Sequence, residues 1–416
     1  MGRPSRNKRK IINDPVYGFV TIPTELLFDL IEHPWFQRLR RIRQLGMTGF
    51  VYPGALHTRF HHALGAMYLM QEAIETLRMK AIHISENEAE AALIAILLHD
   101  IGHGPFSHAL EHSIVGGINH EELSVLMMER LNEQFDGKLT LAIRIFNDSY
   151  HKHFLHQLVS SQLDMDRLDY LKRDSFYTGV SEGVINTDRI IKMLTVQDDE
   201  LMVEEKGIYS IEKFIVARRL MYWQVYYHKT VVAAENMLIN LLARAKRLTE
   251  SGEEIFATPP FLHFLKNRVT KDDFFNDKTL IDKFALLDDY DVFTSIKLWV
   301  NHPDDALSIL SKAIVDRHLF RIELRDTPFN EDEKASVTLA IRATWPGLSN
   351  ESASYLFRVG SITNNAYIPE NDKINILLRD GTVCDIARSS DQLNISLLTS
   401  TVTKFFMCYP KNLMTV

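Results

Sequence analysis

From about residue 24 to 325 the apolar positions recur mostly at helical spacing. The strongest stretch is AEAALIAILLHD, which predicts a buried helix ending near Asp100. Ser85-x-x-Glu88 opens it as a capping box, and Gly102, Gly104 and Pro105 stop it. Leu155, Leu158, Leu163, Leu168 and Leu171 predict a second helix over 155–174, and residues 211–248, with no Pro or Gly, predict one long helix. The pattern changes near 330. Residues 331–344 predict a helix closed by Pro346-Gly347, and 354–359 and 373–378 favour strands. Asp380-Gly381 is a hairpin signal leading into 382–387, and 403–409 reads as a further strand. The expected fold is mainly α: a helical domain over 1–330, beginning with a basic tail at 1–10, and a small α+β subdomain over 331–416.

Composition narrows the class. Of 416 residues, 46% are hydrophobic and 24% charged, as in ordinary soluble globular proteins. The longest apolar run, 91–98, is far short of the roughly 20 residues of a membrane span. The polar, basic start followed by Asn13-Asp14-Pro15 does not read as a signal peptide. With two cysteines, Cys384 and Cys408, a disulfide scaffold or a Cys-rich metal site is not expected, and both read as packing residues. A cytoplasmic protein with no membrane partner is the expectation. The net charge of −7 argues against a dedicated duplex-DNA binder. Five basic side chains in the first ten residues still leave a phosphate or nucleic-acid contact open.

The histidines change the picture most. Of 17, 13 lie at or before residue 156. They concentrate in His57-Thr-Arg-Phe-His61-His62 and in His99-Asp100-Ile-Gly-His103-Gly-Pro-Phe-Ser-His108; Asp164-Met-Asp166-Arg-Leu-Asp169-Tyr170 adds carboxylates downstream. Imidazole and carboxylate donors together suit Mn, Fe, Ni or Zn. Adjacent His99 and Asp100 lie about 100° apart around a helix, so both can turn towards one ion at its end. An aspartate closing an apolar helix is costly to bury unless it is paired or metal-bound.

These motifs, with INDPVYG, WFQRLRRIRQLG, PGALHTRFHHALG, NHEE, LDMDRLDYLKRD and YYHK in order from about Ile12 to Lys229, resemble the HD superfamily of metal-dependent phosphohydrolases. The chain looks most like the dGTP/dNTP triphosphohydrolase branch, which includes bacterial enzymes and the core of the human sterile-alpha-motif HD-domain dNTPase. The resemblance implies a divalent ion (Mn, Fe, Ni, Zn or Mg) on His62, His99, Asp100 and Asp166. His62 is the ligand because it stands three residues after Arg59; His61 occupies a place often held by Glu, and His57 reads as structural. Arg59, Arg167 and Arg218 match phosphate-holding positions, a role the planar guanidinium fork suits. His120, partnered by Glu111, matches the proton donor, with His103 and His108 near the phosphates and His112 facing away. Gln44 and Leu45 match the segment against the sugar, where a leucine leaves no partner for a 2′-hydroxyl. Tyr170 and Tyr226 match aromatic positions around the sugar, and Asp174 matches the acid that holds the 3′-hydroxyl.

The implied reaction is dNTP plus water giving deoxynucleoside plus triphosphate, by attack of a metal-activated water at the α-phosphorus. The resemblance also implies a homo-oligomer, a dimer or tetramer, and an activating nucleotide on a surface matched by Lys10, Ile11, Asn13, Glu32 (in place of Asp), Arg40, His228 and Lys229. Two other readings stay open: an HD enzyme acting on another nucleotide phosphoester, and a nucleotide-sensing or nucleic-acid-binding protein with little hydrolysis.

Overall fold

The computed structural model describes residues 10–106, 115–365, 367–368, 373–390 and 400–414. An antiparallel ribbon of β1 (Ile11–Asp14) and β2 (Gly18–Thr21) comes first, then α1 (Glu25–Glu32), capped by Thr24. Two helices build the centre: α2 (Arg59–Met79) and α3 (Glu86–Leu98). The capping box at Ser85 and Glu88 forms as the spacing predicts, and residues 91–98 are buried on every face. This explains the missing polar stripe: a helix apolar all round is an interior one. Beyond it come α4 (His120–Gln134), α5 (Thr140–Phe146), α6 (His153–Val159) and α7 (Met165–Thr178).

The helix expected over 155–174 is therefore two. The chain extends at Ser160, and Asp164 accepts from the Arg167 N–H to start α7 afresh. Short polar side chains that compete with the helical backbone make that break, which leucine spacing alone does not show. The long helix expected over 211–248 is also interrupted. α8 (Ile208–Met221) runs into a π turn at Tyr222–Tyr226, and His228 then caps α9 (Lys229–Glu250). The π turn is closed by Tyr227 N–H donating to Tyr222 O at 2.7 Å. π turns of this kind often mark functional sites. Further on lie α10 (Asp289–Trp299), α11 (Asp305–Val315) and α12 (Glu331–Thr344).

The strands tie the C-terminal part to the helical body. β3 (Leu194–Gln197) pairs with β4 (Glu200–Glu204), which pairs in parallel with β7 (Asn375–Leu377) and through it with β8 (Val383–Asp385). β5 (Arg321–Arg325) and β6 (Arg358–Asn364) flank β9 (Val402–Tyr409), both antiparallel. These two sheets thus each join strands from both sides of residue 330. The strand expected at 354–359 starts later, because Ser349 caps a helical turn at Asn350–Ser354. Residues 382–387 form only β8 before Asp385 caps a turn at Ile386–Ser389. Cys408 is buried in β9 and Cys384 half-buried, both as free thiols. Among the described residues no helix is long and apolar enough to cross a membrane.

Candidate active site

α2, the end of α3 and α7 converge on one buried group of imidazoles and carboxylates. His62 Nε2 lies 3.0 Å from Asp166 Oδ1 and 3.3 Å from His99 Nε2. One donor atom from each of His62, His99 and Asp166 lies within 4.8 Å of the others, close enough to share one ion. The far nitrogens are already committed. His99 Nδ1 binds Ile96 O at 2.6 Å, and His62 Nδ1 binds Asp169 Oδ2 at 2.7 Å. That is how ligating histidines are usually held, with the second nitrogen fixing the ring and its tautomer. His61 is turned elsewhere: its Nδ1 accepts from the Thr58 N–H at the cap of α2. Asp100 sits beside the group, with Oδ1 3.5 Å from His99 Nε2 and Oδ2 3.8 Å from His62 Nε2, and it also pairs with Arg59.

The electrostatics match a cation site. Burial alone would push the His62 imidazole down, but hydrogen bonds to Asp166 and Asp169 raise it to about 10. His99 is raised too, against its burial, by Asp100 and Asp166. Despite burial, the facing imidazoles hold Asp166 below the usual carboxylate range, and His99 and Arg59 do the same for Asp100. Positive charge is thus favoured where the donor atoms meet.

The loop after α3 carries the next residues. A Cβ at Gly102 would lie 2.3 Å from Ser124 N and 2.4 Å from His120 O, so only glycine lets the loop meet the start of α4. That contact stacks His103 on His120, with ring centroids 3.9 Å apart. His103 Nε2 is 3.2 Å from Asp100 Oδ1. Burial and the Arg59 charge push His103 down to about 3, so its imidazole is neutral at pH 7. A cavity of about 380 Å³ opens here, lined by His99, Asp100, His120, Asp148, His156 and Asp166. His108, Glu111 and His112 lie outside the described residues.

A second cluster adjoins the first along α7. Asp174 Oδ1 is 2.8 Å from His57 Nε2, and Asp174 Oδ2 accepts from the Tyr226 hydroxyl at 2.7 Å. Tyr226 comes from the π turn and meets Tyr170 edge-on, 6.2 Å between centroids. Tyr170 lies on α7 midway between Asp166 and Asp174, four residues from each, so the two clusters share one helix face. Gln44 is brought in by its N–H, which donates to His57 O at 3.0 Å, and half-buried Leu45 follows it. The Gln44 Oε1 and Tyr170 hydroxyl are buried with no hydrogen-bond partner among the described residues. Buried polar atoms in that state are unusual, and a bound polar ligand would satisfy them. Arg167 donates from Nε to Ser161 O at 2.5 Å, and Arg218 stands 6.0 Å from the Tyr222 ring.

The residues matched to a regulatory surface lie on separate elements. Lys10, Ile11 and Asn13 belong to the β1 edge, Glu32 and Arg40 lie either side of Pro34–Gln37, and His228 and Lys229 start α9. Arg40 stacks over the Phe60 ring at 3.6 Å.

Several residues outside that reading support the site. Asp169 receives Arg173 Nε at 2.9 Å, and Arg173 Nη1 reaches Asp14 Oδ2 at 2.8 Å, so β1 is anchored behind His62. Gly65 permits this packing, since a Cβ there would lie 2.0 Å from Asp169 Oδ1. Arg38, fully buried, donates to Ile101 O and His103 O at 3.0 and 2.6 Å and to Phe284 O and Leu287 O at 3.2 and 3.1 Å. Asp289 accepts from the Phe106 and Arg43 N–H groups at 3.0 and 2.9 Å. The i,i+4 spacing of Asp169 and Arg173 was a usable signal for their pair. Nothing local marks Arg38 or Asp289, whose partners are far along the chain.

Comparison with known proteins gives the family and the fold. Residues 59–174 match the family model described as HD domain, and 185–256 that described as HD associated region. The chain is 30% identical to the protein YwfO of Bacillus subtilis, over 98% of this chain and 93% of that protein. It is 31% identical to the deoxynucleoside triphosphate triphosphohydrolase SAMHD1 of Homo sapiens over 57% of this chain, a match that spans 44% of the human protein. A solved phosphohydrolase from Bacteroides thetaiotaomicron superposes with a TM-score of 0.94 at 55% identity, covering 97% of this chain and all of that one.

Proposed function

The chain belongs to the HD-domain family of phosphohydrolases, and from that premise we propose that it is a cytoplasmic, metal-dependent deoxynucleoside triphosphate triphosphohydrolase. One observation carries the reading: the three-donor group His62, His99 and Asp166 shares α7 with the Tyr170–Tyr226 aromatic pair and the Asp174 carboxylate. A phosphoester and a sugar hydroxyl are what those two ends recognise. The human relative, named for the same activity, supports the choice of substrate.

A divalent ion held by His62, His99 and Asp166, with Asp100 beside them, would supply a water of lowered pKa and a positive charge near the reacting phosphorus. The remaining work falls to the chain. Arg59, Arg167 and Arg218 hold phosphate oxygens, and neutral His103, whose one N–H goes to Asp100, holds that carboxylate in place beside them. Water oxygen bonds to the α-phosphorus as the water gives up a proton to solvent, the bond from phosphorus to O5′ breaks, and His120 gives a proton to O5′ and regains one from solvent. Glu111 and His108 keep the roles their motif gives them. Leu45 packs where a 2′-hydroxyl would stand, Gln44 and Tyr170 turn their unpaired atoms to the sugar, and Asp174 accepts from its 3′-hydroxyl. By its resemblance the chain also takes an activating nucleotide, held between the chains of a dimer or tetramer.

The test is product analysis. Purified protein is incubated with each dNTP, singly and mixed, with Mn or Mg, beside a His99→Ala/Asp100→Ala variant. Inorganic triphosphate and deoxynucleoside, absent with the variant, are expected; turnover only in the mixture would add activation. Release of pyrophosphate or orthophosphate instead would replace this reading with another phosphoester chemistry.

A further inference from the structure

We infer that His57 is the positioning residue for sugar recognition: it fixes the Asp174 carboxylate as a pure acceptor for a sugar hydroxyl. The inference rests on the proposed function and goes beyond it, since His57 touches no reacting group. His57 is 1% exposed and its ring lies flat on Tyr177, with centroids 4.5 Å apart and planes 20° off parallel. Nε2 is 2.8 Å from Asp174 Oδ1. Nδ1 is buried and has no hydrogen-bond partner among the described residues. A proton on Nδ1 would be a buried donor without an acceptor, which is costly. The ring therefore carries its proton on Nε2 and donates it to Asp174.

Asp174 is then a carboxylate with one donor on each oxygen, His57 on Oδ1 and Tyr226 on Oδ2. An ionised carboxylate has about four lone-pair sites, so about two remain. They can only accept. A ligand hydroxyl that donates is recognised, and a ligand lacking it leaves the buried carboxylate short of a partner. The His57 backbone serves the same end, because its carbonyl receives the Gln44 N–H and so aligns the Gln44 side chain with the pocket. One residue thus sets both sides of the sugar site.

The experiment compares kcat/KM for a dNTP and its 2′,3′-dideoxy analogue in wild type, His57→Phe and His57→Gln. Phe keeps a ring against Tyr177 and removes the donor; Gln restores an N–H donor. Melting curves check the fold, and His57→Leu is the donor-free substitute if Phe does not fit. Wild type is expected to prefer the 3′-hydroxyl by roughly 10²-fold or more. In His57→Phe that preference falls about tenfold or more, through loss on the dNTP alone, while turnover of the dideoxy analogue stays near wild type. His57→Gln recovers much of it. An unchanged preference in a folded His57→Phe, equal losses on both substrates, or no preference in wild type would each overturn the assignment. No dNTP turnover by wild type would instead sink the proposed function, and this assignment with it.

Discussion

Two buried His–Asp pairs sit side by side where α2 and its preceding loop cross α7. His62 is 2.7 Å from Asp169, and His57 is 2.8 Å from Asp174. The histidines are five residues apart and so are the aspartates, in opposite order, as segments running past each other require. The pairs look alike and are built for opposite ends. His62 turns its free nitrogen to Asp166 and His99, and the surplus of carboxylate draws positive charge to it. Among the described residues His57 has no partner at its other nitrogen, and its aspartate already has Tyr226 as a second donor. The first pair orients a ligand towards a cation; the second orients a carboxylate towards a hydroxyl. What distinguishes them is the next partner out, not the pair.

Replacing one histidine at a time breaks that comparison most sharply. His62→Ala is expected to lower turnover roughly 10³-fold or more and to strip bound metal. Metal content by plasma mass spectrometry should remain at wild-type level in His57→Phe; equal loss in both would make the two pairs one unit. Arg173→Leu tests the support behind the first pair alone. It leaves Asp14 and Asp169 buried without their cation, at a cost of ~3–5 kcal/mol in urea unfolding. Metal affinity should also weaken about 10- to 100-fold as His62 loses its backing, which titration calorimetry would read.

The two regions also differ in how legible they were. The metal end is written locally: a capped apolar helix ending in His99-Asp100, and Asp166, Asp169 and Arg173 at helical spacing on one segment. Its support was less visible, because Arg173 reaches Asp14 across 159 residues and Arg38 reaches Leu287 across 249. The second end depends on breaks that apolar spacing does not encode. The π turn that presents Tyr226 lies inside a run with no Pro or Gly, and His57 read as structural because its partner is 117 residues away. The C-terminal strands were visible as strands, but their pairing with β4 and β5 was not.

Smaller effects test the scaffold. Arg38→Met removes the donor shared by four carbonyls, two of them in the loop that carries His103. It should cost about 2 kcal/mol in denaturant melts and lower kcat more than it raises KM. If kcat holds, the loop needs no such staple. The smallest effect is at Glu88, which caps α3. Despite burial, hydrogen bonds from Lys152, Ser85 and Tyr150 hold its carboxyl down to about 2, against an ordinary 4.5. A depressed carboxyl adds stability that is fully present above pH 4.5 and is lost as pH falls towards 2. Glu88→Gln should therefore be less stable than wild type by about 1 kcal/mol at pH 7, with the gap closing below pH 4.5. A gap independent of pH would mean that shape, not charge, holds the cap.

The proposed site takes a dNTP and directs water to its α-phosphorus. Turnover in ¹⁸O-labelled water, followed by mass spectrometry of the separated products, tests it most directly. Label is expected in the inorganic triphosphate and not in the deoxynucleoside, with no labelled product from the His99→Ala/Asp100→Ala variant. Label in orthophosphate, in pyrophosphate or in a nucleoside monophosphate would contradict it.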